Sequence, residues 1–209
     1  MSSLHRFILS QLHKNLRNCP ATFARCGRAS AWISSSCSRT SVFRYQLGEH
    51  GEWAKHNTTE LSTRIPLLVR APDKTKPGTS TRGLVETVDL YPTLCELAGL
   101  PIRPELEGAS FAPLFADPQR AWKKAAFSVW PMRGPKAAGR RKDTGLGRAM
   151  RTDRYRFVEW GGEFELYDHQ TDPEEHLNLA NKPEHKELVA QLTAQLHAGW
   201  RAALPEPRP

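Results

Sequence analysis

Apolar residues along this chain keep two different periods, and the change between them divides it. Leu188, Leu192, Leu196 and Trp200 recur every four residues with Val189 beside them, which predicts a helix from about Pro183 to Ala203 burying one stripe. Glu184 and Glu187 fall at the positive end of its dipole, and His185 and His197 fall at the stripe edge or on the surface. Upstream the period shortens. Arg148–Arg151, Tyr155–Trp160 and Phe164–Tyr167 are brief strand-like runs joined by Thr152-Asp153 and Gly161-Gly162, the pattern of an antiparallel meander. Ala126–Pro131 reads as a further strand. Met132–Gly147, rich in Gly and carrying Arg140, Arg141 and Lys142, reads as an exposed loop.

The earlier half alternates loops with short apolar runs. Asp89 is placed to cap a helix whose first turn accepts Pro92, and Gly99 with Pro101 ends it. Leu90, Leu94, Leu97 and Ala98 form its apolar face, with Cys95 packing nearby as a small hydrophobe. Gly83–Val88 reads as a short strand or an extended entry to the helix, and Asp73–Thr81 as a polar loop turning at Pro77-Gly78. In Leu106–Leu114, Gly108 and Ser110 shape a turn before a short helical piece. Ile65–Arg70 reads as a buried strand, with Pro66 near its start and Pro72 beyond it. Ahead of it, Gly48 and Gly51 permit a tight turn, and Lys55 and His56 set a cation beside a titratable ring. That turn is either a functional loop leading onto a sheet edge or a solvated surface turn.

A chain of 209 residues suffices for one or two domains, and mean hydropathy of −0.57 with 16 prolines indicates a soluble, loop-rich protein. No apolar run approaches bilayer length. The formal charge of +8 sits almost wholly in the first 46 residues, where Arg6, Lys14, Arg17, Arg25, Arg28, Arg39 and Arg44 meet no acid. The remainder is nearly neutral. With neither a basic helix nor an aromatic platform following the charge, nucleic-acid binding is not indicated. Cys19, Cys26, Cys37 and Cys95 are too widely spaced for a zinc site. The segment 1–44 has the composition of a transit peptide or of a basic tail, or is foreign sequence, the reading favoured here. Phe7–Leu12 is too brief for a signal-peptide core.

Five stretches resemble the sulfatase family, most closely its iduronate-2-sulfatase-like branch. LGEHGEWAK at 47–55 is similar to the end of D-H-G-x-x-L-G-E-H-G-x-W-x-K. GLVETVDLYPTLCELAGLP at 83–101 and LEGASFAPL at 106–114 follow L-V-x-x-V-D-L-x-P-T-L-x-x-L-A-G and L-x-G-x-S-L-x-P-L. MRTDRYRFVEW at 150–160 and ELYDHQTDPEEHLNLA at 165–180 follow I-R-T-x-x-Y-R-Y-x-x-W and E-L-Y-D-x-x-x-D-P-x-E-x-x-N-L-A. The resemblance runs from about Tyr45 to Arg201. It implies an α/β, alkaline-phosphatase-like sulfatase fold represented by its C-terminal part, with a small antiparallel sheet and a C-terminal helix. The expected division is 1–44, then 45–131 as part of the α/β domain, then 132–204 as the small subdomain.

By the same resemblance, Lys55 contacts the sulfate, and His56 beside it aligns with no fixed catalytic residue of the branch. A compact ammonium suits oxygens that gain negative charge as a sulfate ester breaks. The family's Asp-His-Gly is replaced by Val42, Phe43 and Arg44. No Cys or Ser begins the Cys/Ser-x-Pro-Ser/Ala-Arg sequence that yields the formylglycine nucleophile, and Ser35–Arg39 is only a near miss. The family also implies calcium, whose ligands are not among these residues, sulfated glycan substrates, and a secreted or periplasmic location. In Asp168, Asp172, Glu174 and Glu175, turn chemistry is preferred to metal ligation. The expectation is a C-terminal sulfatase portion, inactive alone. The alternatives are a non-catalytic module, a split-enzyme partner of a separate N-terminal half, and, less favoured, a phosphoester hydrolase.

Overall fold

A computed structural model describes residues 32–34, 46–51, 53–54, 57–71, 73–133 and 143–205. Its elements in chain order are β1 (Trp32–Ser34), β2 (Gln46–Leu47), β3 (Trp53–Ala54), α1 (Glu60–Thr63), β4 (Leu68–Arg70), α2 (Leu90–Leu97), α3 (Pro113–Ala116), β5 (Ala126–Arg133), β6 (Asp143–Arg151), β7 (Tyr155–Trp160), β8 (Glu163–Asp168) and α4 (Lys186–Ala202). They fall into two compact units interleaved in sequence.

One unit contains 32–34, Leu68–Ser80 and Thr87–Pro118. Strands β1 and β4 pair antiparallel over three residues, Trp32 opposite Arg70 and Ser34 opposite Leu68. Of the acid-free segment 1–44, these three β1 residues alone are described. The buried strand expected at Ile65–Arg70 is not found. Only Leu68–Arg70 is extended in a pair, and Leu68 is 62% exposed. Of the two alternatives at 83–88, a strand or an extended entry, no strand forms. The chain there stays irregular and enters a 3-10 turn at Thr87–Asp89.

The face of α2 also departs from the sequence reading. The helix buries Pro92, Thr93 and Cys95, while Leu94 stays 36% exposed. A polar pair explains the rotation. Asp89 makes no cap bond to its own helix, and its Oδ1 accepts the Ala109 amide at 2.8 Å. The Thr93 hydroxyl donates to the Asp89 carbonyl at 2.6 Å and accepts the Phe111 amide at 3.0 Å. Both side chains are fully buried with their bonds made, which is the condition for a polar group to sit inside. The 108–111 turn is thereby fastened onto α2. Gly108 is required there, because a Cβ would lie 2.1 Å from the Val88 carbonyl oxygen.

The other unit holds 46–67, Thr81–Glu86 and the described residues from Gln119 onward. Its centre is a four-stranded antiparallel sheet in the order β5-β6-β7-β8, in which β6, β7 and β8 form the expected meander and β5, read as a strand of the preceding part, pairs with β6. Alternation puts Met150, Phe157 and Leu166 on one face, where they pack with Leu192 and Leu196 of α4 and with Ala125 and Ala203. Leu188 and Val189 flank this core, and the Phe157 and Phe164 rings stack at 5.5 Å. The predicted stripe holds at Leu188, Val189, Leu192 and Leu196, but Trp200 lies outside the core, because Gly199 (φ 76°) breaks the helical path just before it. The loop expected at 132–147 is shorter, since β5 runs through Arg133 and β6 begins at Asp143. Arg140, Arg141 and Lys142 lie outside the described residues.

Both sheet edges are engaged. Asn178 brackets β8, accepting from the Leu166 amide and donating to the Phe164 carbonyl, and the Leu179 amide donates to the Leu166 carbonyl. On β5 the Phe127 amide donates to Glu86, whose other oxygen pairs with Lys123 at 2.8 Å. Such cover removes the exposed donors and acceptors that would recruit another strand.

Candidate functional site

The β2–β3 hairpin carries the conspicuous turn. Gln46 pairs with Ala54 and Leu47 with Trp53, while Gly48 (φ 121°), His50 (φ 57°) and Gly51 (φ 70°) adopt left-handed conformations. Glycine takes these freely; His50 does so against its Cβ, the kind of local strain often found at functional turns. Trp53 is 72% exposed. The His50 ring lies 5.6 Å from that of His176, which bonds Glu174 at 3.0 Å.

The base of the hairpin is locked by a buried amide. Gln46 donates to Thr59 Oγ1 at 2.9 Å and accepts from Asn57 Nδ2 at 2.7 Å. Asn57 Oδ1 in turn accepts the Thr59 amide and hydroxyl. The chain on both sides of 55–56 is therefore tied together. Lys55 and His56 themselves lie outside the described residues.

Just beyond, 58–63 packs on the second face of the meander through one guanidinium. Arg156 on β7, 2% exposed, donates to the Thr58 carbonyl, the Thr63 hydroxyl and Glu60 Oε2, the last at 2.9 Å. Its Nε pairs with Glu175 Oε1 at 2.8 Å. Glu175 returns to the same segment, its Oε2 accepting the Glu60 amide at 2.9 Å, while Oε1 also meets His169 Nε2 at 2.9 Å. Arg151 completes the group, 3.3 Å from Glu60. Glu175 holds a left-handed φ of 62° to reach this position. Burial alone would raise the Glu60 carboxyl, but the charge and hydrogen bond of Arg156, with Arg151 adding to them, hold it below the ordinary range. Desolvation and the neighbouring Arg156 depress Arg151, against the pull of Glu60.

Glu60, His169 and Glu175 bring ligand-type atoms within 4.8 Å of one another, a grouping that invites a metal reading. The chemistry does not fit calcium. That ion takes about 6–8 oxygen ligands, whereas these two carboxylates already neutralise two guanidiniums and the third member is an imidazole. The cluster is a charge-balanced clasp. Asp168 and Asp172 do the backbone and pairing work expected of a turn. Arg154 grips Asp168 with two bonds and holds its carboxyl below the usual range, and Asp172 accepts the Leu177 amide at 2.8 Å.

Of the clasp residues, the sequence reading weighed only Glu175, as turn chemistry rather than a metal ligand; Arg151, Arg156 and Glu175 occupy lettered motif positions, whereas Glu60 and His169 do not. Arg151 and Arg156 belong to MRTDRYR, Glu175 to the D-P-x-E of the next block. Structure shows why the two blocks go together: they meet at one ion cluster.

Comparison with known proteins agrees with this geometry. In fold the chain resembles the solved structure of a protein in complex with its substrate D-glucosamine-2-N,6-O-disulfate, at TM-score 0.64 and 27% identity, over 74% of this chain and 31% of that one. It also resembles the phosphonate monoester hydrolase of Silicibacter pomeroyi, at TM-score 0.62 and 26% identity, over 74% and 32% of the two chains. The fold is the α/β, alkaline-phosphatase-like fold of sulfatases, with a small antiparallel sheet and a C-terminal helix. Residues 48–201 match the model of the family N-sulphoglucosamine sulphohydrolase, C-terminal, and the chain belongs to that family. Iduronate 2-sulfatase of Mus musculus is 28% identical over 220 residues, covering 73% of this chain and 39% of that protein. The chain spans 28% to 39% of the length of the first curated relatives it matches.

Proposed function

We propose that this polypeptide is the sulfate-contacting C-terminal portion of a sulfuric ester hydrolase that acts, in its complete form, on sulfated glycans. The observation that carries this reading is the family match across 48–201, which takes in Lys55 together with the hairpin turn before it and the clasp residues after it. Lys55 serves as the cationic sulfate contact, worth most when the ester oxygens gain charge in a water-poor site. His56 is the weaker candidate beside it. Sulfatases are generally metal-dependent, and calcium would supply charge neutralisation on the sulfate oxygens. No described residue set here fits it, so no step is assigned through it. A domain division at 45–131 and 132–204, and a secreted or periplasmic location, follow from the same reading.

No Cys or Ser in this sequence heads a formylglycine motif, so the chain alone is expected to bind a sulfate ester without turning it over. The alternative of a non-catalytic or split-enzyme module, partnered by a separate N-terminal half, shares that expectation. Hydrolysis of an aryl sulfate by the purified chain, with calcium and with chelator, tests it. Calcium-dependent turnover would sink the claim and direct attention to Ser35 and Cys37. The likeness to a phosphonate monoester hydrolase favours a second reading, so an aryl phosphonate belongs in the same assay. Preferential binding of the phosphonate would replace the sulfate assignment.

A further inference from the structure

We infer that the outward side of α2 docks the N-terminal α/β portion of a sulfatase, the part of the fold that the matched region leaves out. The inference rests on the sulfatase reading above and gives its separate N-terminal half a place to bind. At helical spacing Leu90, Tyr91, Leu94, Leu97 and Ala98 share one side of the helix, and none of them is charged. A stripe of that width faces a core in a stable protein. Here it is left open. Tyr91 and Leu94 are 56% and 36% exposed, Leu90, Leu97 and Ala98 are only half-buried, and Val88 just ahead of them is 54% exposed. The other side of the helix is already committed, because Asp89 and Thr93 hold the 108–111 turn there. The helix therefore cannot turn its apolar side inward without breaking those bonds.

The kind of cover follows from the rest of the unit. Its sheet, among the described residues, is the ribbon of β1 and β4 alone, paired over three residues. Two paired strands are marginal without further strands or a helix packed on them, and Leu68 on β4 is 62% exposed. In an α/β layer fold a helix stripe of this kind is buried by a sheet. The partner that fits therefore brings strands and an aliphatic sheet face, whereas an anionic glycan finds no charge on the stripe. The chain covers only 31% of the solved relative that holds the disulfated glucosamine, and the matching family model is that of a C-terminal portion. The remainder of that same α/β fold is a partner of the required chemistry.

The test co-expresses the full chain with the part of Mus musculus iduronate 2-sulfatase that precedes the matched region, and reads a one-to-one complex by size-exclusion chromatography with mass measurement. Leu94→Lys and Tyr91→Lys place a charge on the stripe. Val129→Lys does so at a 57% exposed site on β5, in the other unit. Circular dichroism confirms that each variant is folded. Wild type and Val129→Lys should co-purify with the partner, and the two α2 variants should lose it. No complex with the wild-type chain, while the mouse protein's own C-terminal portion forms one, overturns the inference, as does a complex that survives Leu94→Lys. A dimer of the chain alone that Leu94→Lys dissolves assigns the face to a second copy and overturns it too. Inorganic sulfate titrated into the chain reads the sulfate assignment separately. Binding without a complex strikes only the docking surface, and a complex without binding strikes only the sulfate contact.

Discussion

Replacing Arg156 by Met keeps most of the stem and deletes the guanidinium, leaving Glu175 and Glu60 facing each other inside the protein. Their side chains are 2% and 15% exposed, so water cannot take over the lost pairing at Glu175. A unit charge pair at 2.8 Å attracts by about 6 kcal/mol at an effective dielectric constant of about 20, before desolvation is counted. Relaxation of 58–63 returns part of that. The expected net loss is about 3–5 kcal/mol, the usual cost of breaking a buried pair from one side. Urea unfolding followed by far-ultraviolet circular dichroism measures it. Adding Glu175→Gln to Arg156→Met should recover some of the loss, with a coupling of about 0.5–3 kcal/mol between the two sites. A loss below about 1 kcal/mol for the single variant, or strict additivity in the pair, would refute the clasp as a buried, mutually dependent unit.

Acid should weaken the same region. Glu60, Asp168 and Asp172 are all held below their ordinary carboxylate values, so each stabilises fully above an unfolded value of about 4 and loses that contribution as pH falls through its folded value. Unfolding midpoints measured from pH 6 downward should therefore drop below about pH 4; a flat profile would contradict the assigned pairings. Gly108→Ala should cost about 1–3 kcal/mol, because its Cβ would strike the Val88 carbonyl, an obstacle that only backbone movement relieves. Thermal melting near wild type would show the turn to be looser than described. In a complete enzyme, Lys55→Ala should lower turnover of a sulfate ester by about 100-fold or more, and near-normal turnover would remove its role.

What the sequence disclosed, and what it hid, follow one physical division. The terminal helix was legible because Leu188, Leu192 and Leu196 bury a single stripe against one sheet face, so apolar spacing alone carries the information. The meander was legible because Gly161-Gly162 and Thr152-Asp153 punctuate it at hairpin spacing. The Asp172 turn was legible because a carboxylate preceding proline bonds its own neighbourhood. Failures occurred where polar residues are buried in hydrogen bonds and ion pairs. Asp89 and Thr93 turn α2 away from its apolar face, and periodicity counts only apolar side chains. Arg156 drew no reading of its own within its strand and Glu175 was taken as turn chemistry, because charged residues are seldom buried unless paired and their partner Glu60 lies 96 residues from Arg156 in the chain. At β4 the apolar run suggested burial, but cover comes from other segments, which a local pattern does not encode. Motif letters held the missing information. MRTDRYR and DPEE are matched blocks because their side chains share one cluster.

Sulfate recognition is the claim on which the functional account stands, and it is tested most directly by titrating a sulfated disaccharide and its desulfated counterpart into the purified chain. The account predicts binding of the sulfated sugar only, abolished by Lys55→Ala. Equal affinity for the two sugars, or binding that survives Lys55→Ala unchanged, would contradict it.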